Sequence, residues 1–246
     1  MTEPSAKPLE GRIALVTGAS RGIGRAAALA LADAGAHIVA LARTQGALEE
    51  LDDEVTKAGG SATLVPLDLG DGAGIDRLGA SLFERFKRLD ILVGNAAILG
   101  PLSPLGHIDL KSWDQLLAIN VTANWRLIRS LDPLLKQSDA GRAIFVSSGA
   151  ARNNKPFWGG YAISKSALEQ MIKTYAAELE NTSMRANLID PGQVRTAMRA
   201  KAMPGEDPMT LPEASELAPQ FVEMSKPDFS ANGEIFRFKN RKWEVV

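Results

Sequence analysis

The sequence predicts an α/β fold: a doubly wound, mostly parallel seven-stranded sheet with helices on both faces. Two observations carry that prediction. Short branched runs alternate with longer helical patterns along the chain, and a glycine-rich turn joins the first run to the first helix. Strand and helix in that alternation imply right-handed crossovers, parallel strands, and ligands at the strands' carboxyl ends.

The first strand is expected at Arg12–Val16, whose Ile13-Ala14-Leu15-Val16 is apolar and branched. Thr17-Gly18-Ala19-Ser20-Arg21-Gly22-Ile23-Gly24 follows, then an alanine-rich stretch to Asp33 without proline or glycine, which predicts a helix over Gly22–Ala34. Gly35 stands where that helix should end. Further strands are expected at His37–Leu41, Ala62–Leu67, Leu89–Val93, Arg142–Ser147, Arg185–Ile189 and Glu234–Phe238. Helices are expected over Gln45–Ala58, Gly74–Lys87, Leu110–Leu135, Tyr161–Glu180 and Pro212–Met224. Residues 1–8 read as a loose lead-in. No repeat or linker divides the chain, so 1–246 reads as one domain. Arg195–Leu211 is polar, carries Pro204 and Pro208, and follows a strand on the ligand side. Residues 193–225 therefore read as a lid over the substrate; a plain surface loop fits Arg195–Leu211 equally well.

Composition removes several functions. The 246 residues carry a net charge of −1, so no global field draws the chain to nucleic acid or membrane. Arg237, Lys239, Arg241 and Lys242 form a small basic cluster, but Glu234 and Glu244 beside it make a solvated end the simpler reading. There is no cysteine and only two histidines, His37 and His107, so no metal site and no Ser-His-Asp hydrolase is expected. The first residues lack a signal peptide's apolar region and no run is long enough to span a bilayer, which makes the cytoplasm the expected location.

The glycine turn is the first chemical signal. Gly18 permits a sharp turn, while Gly22 and Gly24 let backbone approach a ligand and the helix pack on its strand. The free N–H groups at the helix start would face a pyrophosphate. Alone, such a turn also fits an ordinary strand-to-helix loop. The second signal lies on the later helix, whose apolar stripe runs through Leu168, Met171, Ile172, Tyr175 and Leu179. Extended backward, the stripe reaches Lys165 and then Tyr161. A lysine on an inward row is costly unless it binds something. Four-residue spacing stacks it on the tyrosine, where an ammonium favours phenolate, as a general acid/base requires. A half-buried tyrosine beside a snorkelling lysine is the bland alternative. Ser147-Ser148 and Asn95-Ala96-Ala97 each close a strand on the ligand side.

In order along the chain, Thr17–Gly24, Asp68, Asn95-Ala96-Ala97, Asn120, Ser148, Tyr161…Lys165 and Pro191-Gly192…Thr196 resemble the short-chain dehydrogenase/reductase family of the compact, single-domain, Rossmann-like type. The likeness covers about Leu9 to Phe238. It implies that Tyr161 is the acid/base, that Ser148 holds the substrate oxygen, and that Lys165 binds the nicotinamide ribose and lowers the tyrosine pKa. Asn120 would hold a water linking Lys165 to solvent. Gly18, Ser20, Arg21, Gly22, Ile23 and Gly24 would cradle the cofactor. Asp68 and Leu69 would meet the adenine, Asn95, Ala96 and Ala97 its ribose side, and Pro191, Gly192, Val194 and Thr196 the nicotinamide amide and nearby phosphate. Homo-oligomers, dimers or tetramers, are expected of such chains, although this one departs from the family's usual Val-Asp-Gly-Gly-like end. A cofactor-binding sensor or scaffold without turnover is the alternative function.

The second strand ends at Leu41-Ala42-Arg43-Thr44. Relatives that prefer NAD usually carry a carboxylate there; this chain has Ala42 and Arg43. An arginine pairs with a 2′-phosphate and a carboxylate repels it. With Arg21 reaching from the glycine turn, NADP(H) is predicted over NAD(H), which stays possible. Phe157, Trp158, Ile98, Leu99 and Met198–Met209 are expected to border the substrate pocket. No charged anchor in the sequence specifies a small-molecule carbonyl or alcohol substrate.

Overall fold

A computed structural model describes residues 7–246; the lead-in reading for residues 1–6 lies outside the described residues. In chain order the elements are β1 (Ile13–Thr17), α1 (Gly22–Asp33), β2 (His37–Ala42), α2 (Gln45–Lys57), β3 (Ser61–Pro66), α3 (Gly72–Phe86) and β4 (Ile91–Gly94). They continue with α4 (Leu110–Leu117), α5 (Ala123–Leu135), β5 (Arg142–Val146), α6 (Gly159–Glu178) and β6 (Arg185–Asp190). The chain closes with α7 (Ala197–Ala202), α8 (Ala218–Ser225), β7 (Ile235–Lys239) and β8 (Lys242–Val245). The strands form one sheet in the order β3-β2-β1-β4-β5-β6-β7-β8. Every pairing is parallel except β7 with β8.

Period-two alternation explains how a nearly all-apolar strand serves both faces. Ala14 and Val16 of β1 pack with Ala27, Ala28 and Leu31 of α1 and with Phe221 and Met224 of α8. Leu15 between them packs on the other face with Ile75 and Leu78 of α3, Leu127 and Leu131 of α5, and Leu168 and Ile172 of α6. Order reverses between β1 and β4, leaving a crevice at their carboxyl ends. Gly35, at φ +104°, ends α1 as expected.

Three expectations are corrected. The sheet has eight strands, because the tail, solvent-exposed as expected, folds back as β8. Asn240 and Arg241 take φ +50° and +58°, the two left-handed positions of a tight hairpin turn. The long helix Leu110–Leu135 is interrupted: a π-turn over Ala118–Thr122 separates α4 from α5. The 193–225 lid region also divides, since Leu217, Phe221 and Met224 are fully buried against α1 and belong to the core. Met198, Lys201, Ala202 and Met203, in the earlier part, lie by Tyr161 and the cleft beside it.

Candidate active site

The glycine turn is tied down at the switch point. Thr17 Oγ1 donates to Val93 O (3.2 Å) and accepts from the N–H groups of Asn95 (2.9 Å) and Ala96 (3.1 Å). Asn95 Nδ2 donates back to Thr17 O at 2.9 Å. Asn95 thus holds the turn in shape, a task beyond the ribose-side role expected of Asn95–Ala97. Gly18 and Gly22 sit at φ +65° and +56°. A Cβ on Gly24 would lie 2.4 Å from Gly18 O. Arg21, exposed and extended, precedes α1 without a capping side chain, and the first turn of α1 has no acidic residue. The crowded, left-handed glycines and the uncapped N–H groups fit an anionic diphosphate.

The strand ends to one side bring Ala42, Arg43, Asp68 and Leu69 together. Ala42 is buried and Arg43 is exposed. Arg43 Nη1 stands 3.9 Å from Asp68 Oδ2, and Asp68 Oδ1 accepts from Gly70 N (2.8 Å). Leu69 beside them is buried. From the other side, Pro191 and Val194 are buried, and Gly192 at φ +64° presses so close to β7 that a Cβ would lie 2.6 Å from Phe238 O. Thr196 caps α7 through Arg199 N (3.1 Å), and its methyl lies 3.5 Å from where a Gly22 Cβ would stand. The stretch after β6 therefore reaches the glycine turn.

Tyr161 and Lys165 lie on the inward row of α6, 7% and 2% exposed. Lys165 Nζ donates to Val146 O at 2.7 Å and sits 5.8 Å from the centre of the Tyr161 ring. Ser148 is half-buried just past β5, where its Oγ accepts from Ala150 N (3.2 Å) and stands near the Tyr161 hydroxyl. Burial pushes the Tyr161 hydroxyl up to about 12, with the nearby Ser148 hydroxyl opposing and the Asp190 charge adding to it. This corrects the expectation that Lys165 lowers the tyrosine: in this structure desolvation wins. Burial likewise brings Lys165 down to about 8, against the pull of Glu169.

Asn120 is fully buried in the π-turn. Its Oδ1 accepts from Ile98 N (2.9 Å), and its Nδ2 donates to Ile98 O (2.9 Å) and Ser164 Oγ (3.0 Å). With both side-chain protons used within the protein, Asn120 ties the strand behind Ile98 to α6. The expected water-holding role is not one its amide protons perform.

An ionic cluster behind the site was missed. Ser147 Oγ donates to Glu169 Oε1 at 2.5 Å. Arg152 bridges Glu169 and Asp190, and Asp190 Oδ1 accepts from Gly192 N at 3.1 Å. Arg152 thereby links α6, the end of β5 and the Pro191-Gly192 turn. Glu169 follows Lys165 by four residues on the same inward row, a signal lost when only apolar positions are followed. Arg152 lies in a turn, where no periodicity marks it.

On its open side Tyr161 packs with Leu99, Leu102, Ala150, Trp158, Met198, Ala202 and Met203. The Trp158 ring meets Tyr161 edge-on, 6.2 Å between centres. A cleft of about 390 Å³ continues past Ile98–Leu102 to Ser112, Gln115 and Lys201. Phe157 and Met209, expected at this border, are instead 58% and 71% exposed.

A doubly wound sheet with a glycine turn at its switch point and a buried Tyr–Lys pair beside it defines the class of nucleotide-dependent α/β oxidoreductases. Residues 12–207 match the family model described as short chain dehydrogenase. The uncharacterized oxidoreductase YciK of Escherichia coli K12 is 35% identical over 229 residues, covering 92% of this chain and 90% of the relative. A solved short-chain dehydrogenase from Salmonella enterica serovar Typhi superposes with TM-score 0.91 at 36% identity, covering 96% of this chain and 98% of that one. One from Shigella flexneri, complexed with NADP, has TM-score 0.90 at 35% identity, covering 95% and 99%. The chain belongs to the short-chain dehydrogenase/reductase family and is an oxidoreductase of that family.

Proposed function

We propose that the chain interconverts a carbonyl and an alcohol by hydride transfer with NADP(H). The observation that carries this reading is the convergence of Tyr161, Lys165 and Ser148 at the sheet's carboxyl edge, beside a glycine turn built for a diphosphate. Gly18–Gly24 would hold the diphosphate, Asp68 and Leu69 the adenine, and Lys165 with Pro191–Thr196 the nicotinamide half. When bound, the nicotinamide supplies or takes the hydride. Tyr161 gives its hydroxyl proton to the substrate oxygen in reduction and takes it back in oxidation. Ser148 donates a hydrogen bond to the same oxygen and orients it. Lys165, donating to Val146 O, keeps a cation behind the hydroxyl as charge develops.

Arg43 and Arg21, both exposed at the edge of this site, support a preference for the 2′-phosphate. The Shigella flexneri relative was solved with NADP and an Escherichia coli one with NADPH. Two Mycobacterium tuberculosis relatives are named NAD-dependent, so NAD(H) remains within the family's range. A homo-oligomer in the cytoplasm belongs to the same reading: Leu110, Trp125 and Ile163 leave large apolar side chains exposed on α4, α5 and α6. A light-scattering mass equal to one chain would remove the oligomer.

The test is a panel of aldehydes, ketones and alcohols with NADPH or NADP, followed optically, on the wild type and Tyr161→Phe. Loss of an acid/base group costs about 10²–10⁴-fold in kcat. Turnover equal in the two proteins would overturn the mechanism. Binding of NADPH without turnover of any panel member would favour a sensor.

A further inference from the structure

The cations around the cleft differ in what they are paired with. Within the segment covering it, Arg199 makes a bidentate pair with Glu206 (2.6 and 2.5 Å), and Arg195 pairs with Glu213 at 3.1 Å. Lys201 lies on the cleft wall and has no carboxylate within ion-pair distance among the described residues. Ser112 and Gln115, uncharged hydrogen-bonding groups, line the same end. No carboxylate lines the cleft, while Leu99 and Leu102 continue its floor into the apolar cluster on Tyr161. At the far side of that cluster, Lys155 Nζ stands 4.8 Å from the Trp158 ring centre and 3.8 Å from Met203 Sδ.

A ligand in this cleft has the exposed Lys201 and Gln115 at its solvent end and the buried Leu99 at its inner end, against the apolar cluster on Tyr161. A cationic ligand would find no counter-charge on the cleft wall. A neutral one would leave the exposed Lys201 ammonium to water, with no counter-charge from ligand or cleft wall. One free ammonium, flanked by neutral donors rather than arginine forks, matches a single negative charge better than a phosphate dianion. The volume of about 390 Å³ lies within the range of small-molecule sites.

We propose that the substrate is an amphipathic keto or hydroxy acid: its apolar body lies on Leu99, Leu102 and Trp158, and its carboxylate is met by Lys201. The placement of its carbonyl at Tyr161 rests on the hydride-transfer reading; the recognition of its carboxylate does not.

Calorimetric titration of the whole chain with 4-phenylbutanoate, 4-phenylbutanamide and phenethyl phosphate tests the recognition without turnover. The acid is expected to bind at least tenfold tighter than the amide, Lys201→Gln to erase that preference, and Lys201→Arg to retain it. Equal binding of acid and amide, a preference that survives Lys201→Gln, no binding of either, or tighter binding of the phosphate would each overturn the proposal. In parallel, reduction of 4-oxo-4-phenylbutanoate and of the neutral ketone butyrophenone is followed with NADPH. In Lys201→Gln, kcat/KM for the keto acid should fall at least tenfold relative to butyrophenone. Turnover of both ketones without that selective loss defeats the carboxylate assignment alone. Lysine-dependent acid binding with no turnover of either ketone defeats the hydride-transfer reading and leaves the assignment standing.

Discussion

Replacing Lys165 with methionine should change how the fold's stability depends on pH. Lys165 is 2% exposed, and burial lowers it from 10.5 to about 8. A depression of that size is worth about 3 kcal/mol, since each pKa unit is about 1.4 kcal/mol. The folded chain binds this proton more weakly than the unfolded chain does. The cost is therefore fully present below pH 8 and fades as pH rises from 8 towards 10.5. Tyr161, raised from 10.0 to about 12, acts in the opposite sense, eroding stability only above pH 10. Urea unfolding at pH 7, 8, 9 and 10 keeps the tyrosine out of the comparison, and groups common to both proteins cancel. Between pH 7 and pH 10 the wild type should gain about 2–3 kcal/mol relative to Lys165→Met. Parallel stability curves for the two proteins would refute the claim that this lysine is held charged at an energetic cost.

Three other substitutions probe the frame. Arg152→Leu removes the guanidinium bridging Glu169 and Asp190, 9% and 3% exposed at their side chains, and leaves Asp190 only Arg237 Nε at 3.7 Å; urea melts should show a loss of about 3 kcal/mol, and a loss below about 1 kcal/mol would show that the bridge is dispensable. Gly24→Ala forces a Cβ to within 2.4 Å of Gly18 O. It should weaken NADPH binding by on the order of tenfold in a fluorescence titration while far-UV dichroism stays native; unchanged affinity would contradict the tight approach. Lys87→Gly relieves a left-handed residue (φ 67°) at the end of α3 and should raise stability by about 0.5–1 kcal/mol in thermal melts, whereas destabilisation would mean its contact with the Phe83 ring, 5.1 Å away, is worth more than the strain.

What could be read from the sequence was whatever has a period or a fixed spacing. β1 to β7 announce themselves as branched apolar runs because both faces of a parallel sheet are covered. Tyr161 and Lys165 share a row because four residues make roughly one helical turn. β8 escaped because it has only four residues, two of them charged, and its turn uses Asn240 and Arg241 in left-handed conformations without glycine. The π-turn at Ala118–Thr122 escaped because one extra residue in a turn hardly disturbs an apolar stripe. Arg152 was illegible because its partners lie 17 and 38 residues away, on other elements. The direction of the Tyr161 shift was misjudged because a neighbouring charge is visible in a sequence and depth of burial is not.

The final hairpin also decides where the molecule can be held. β8 runs antiparallel to β7, its single neighbour in the sheet, and Val245 pairs with Phe236 near the start of β7. Val246 therefore lies at the edge where the parallel strands begin, opposite the edge that carries Gly18, Ser148 and Tyr161. A bead, a reporter domain or a pulling handle attached behind Val246 would face away from the crevice. An anchored molecule would keep its mouth open to the surrounding solution.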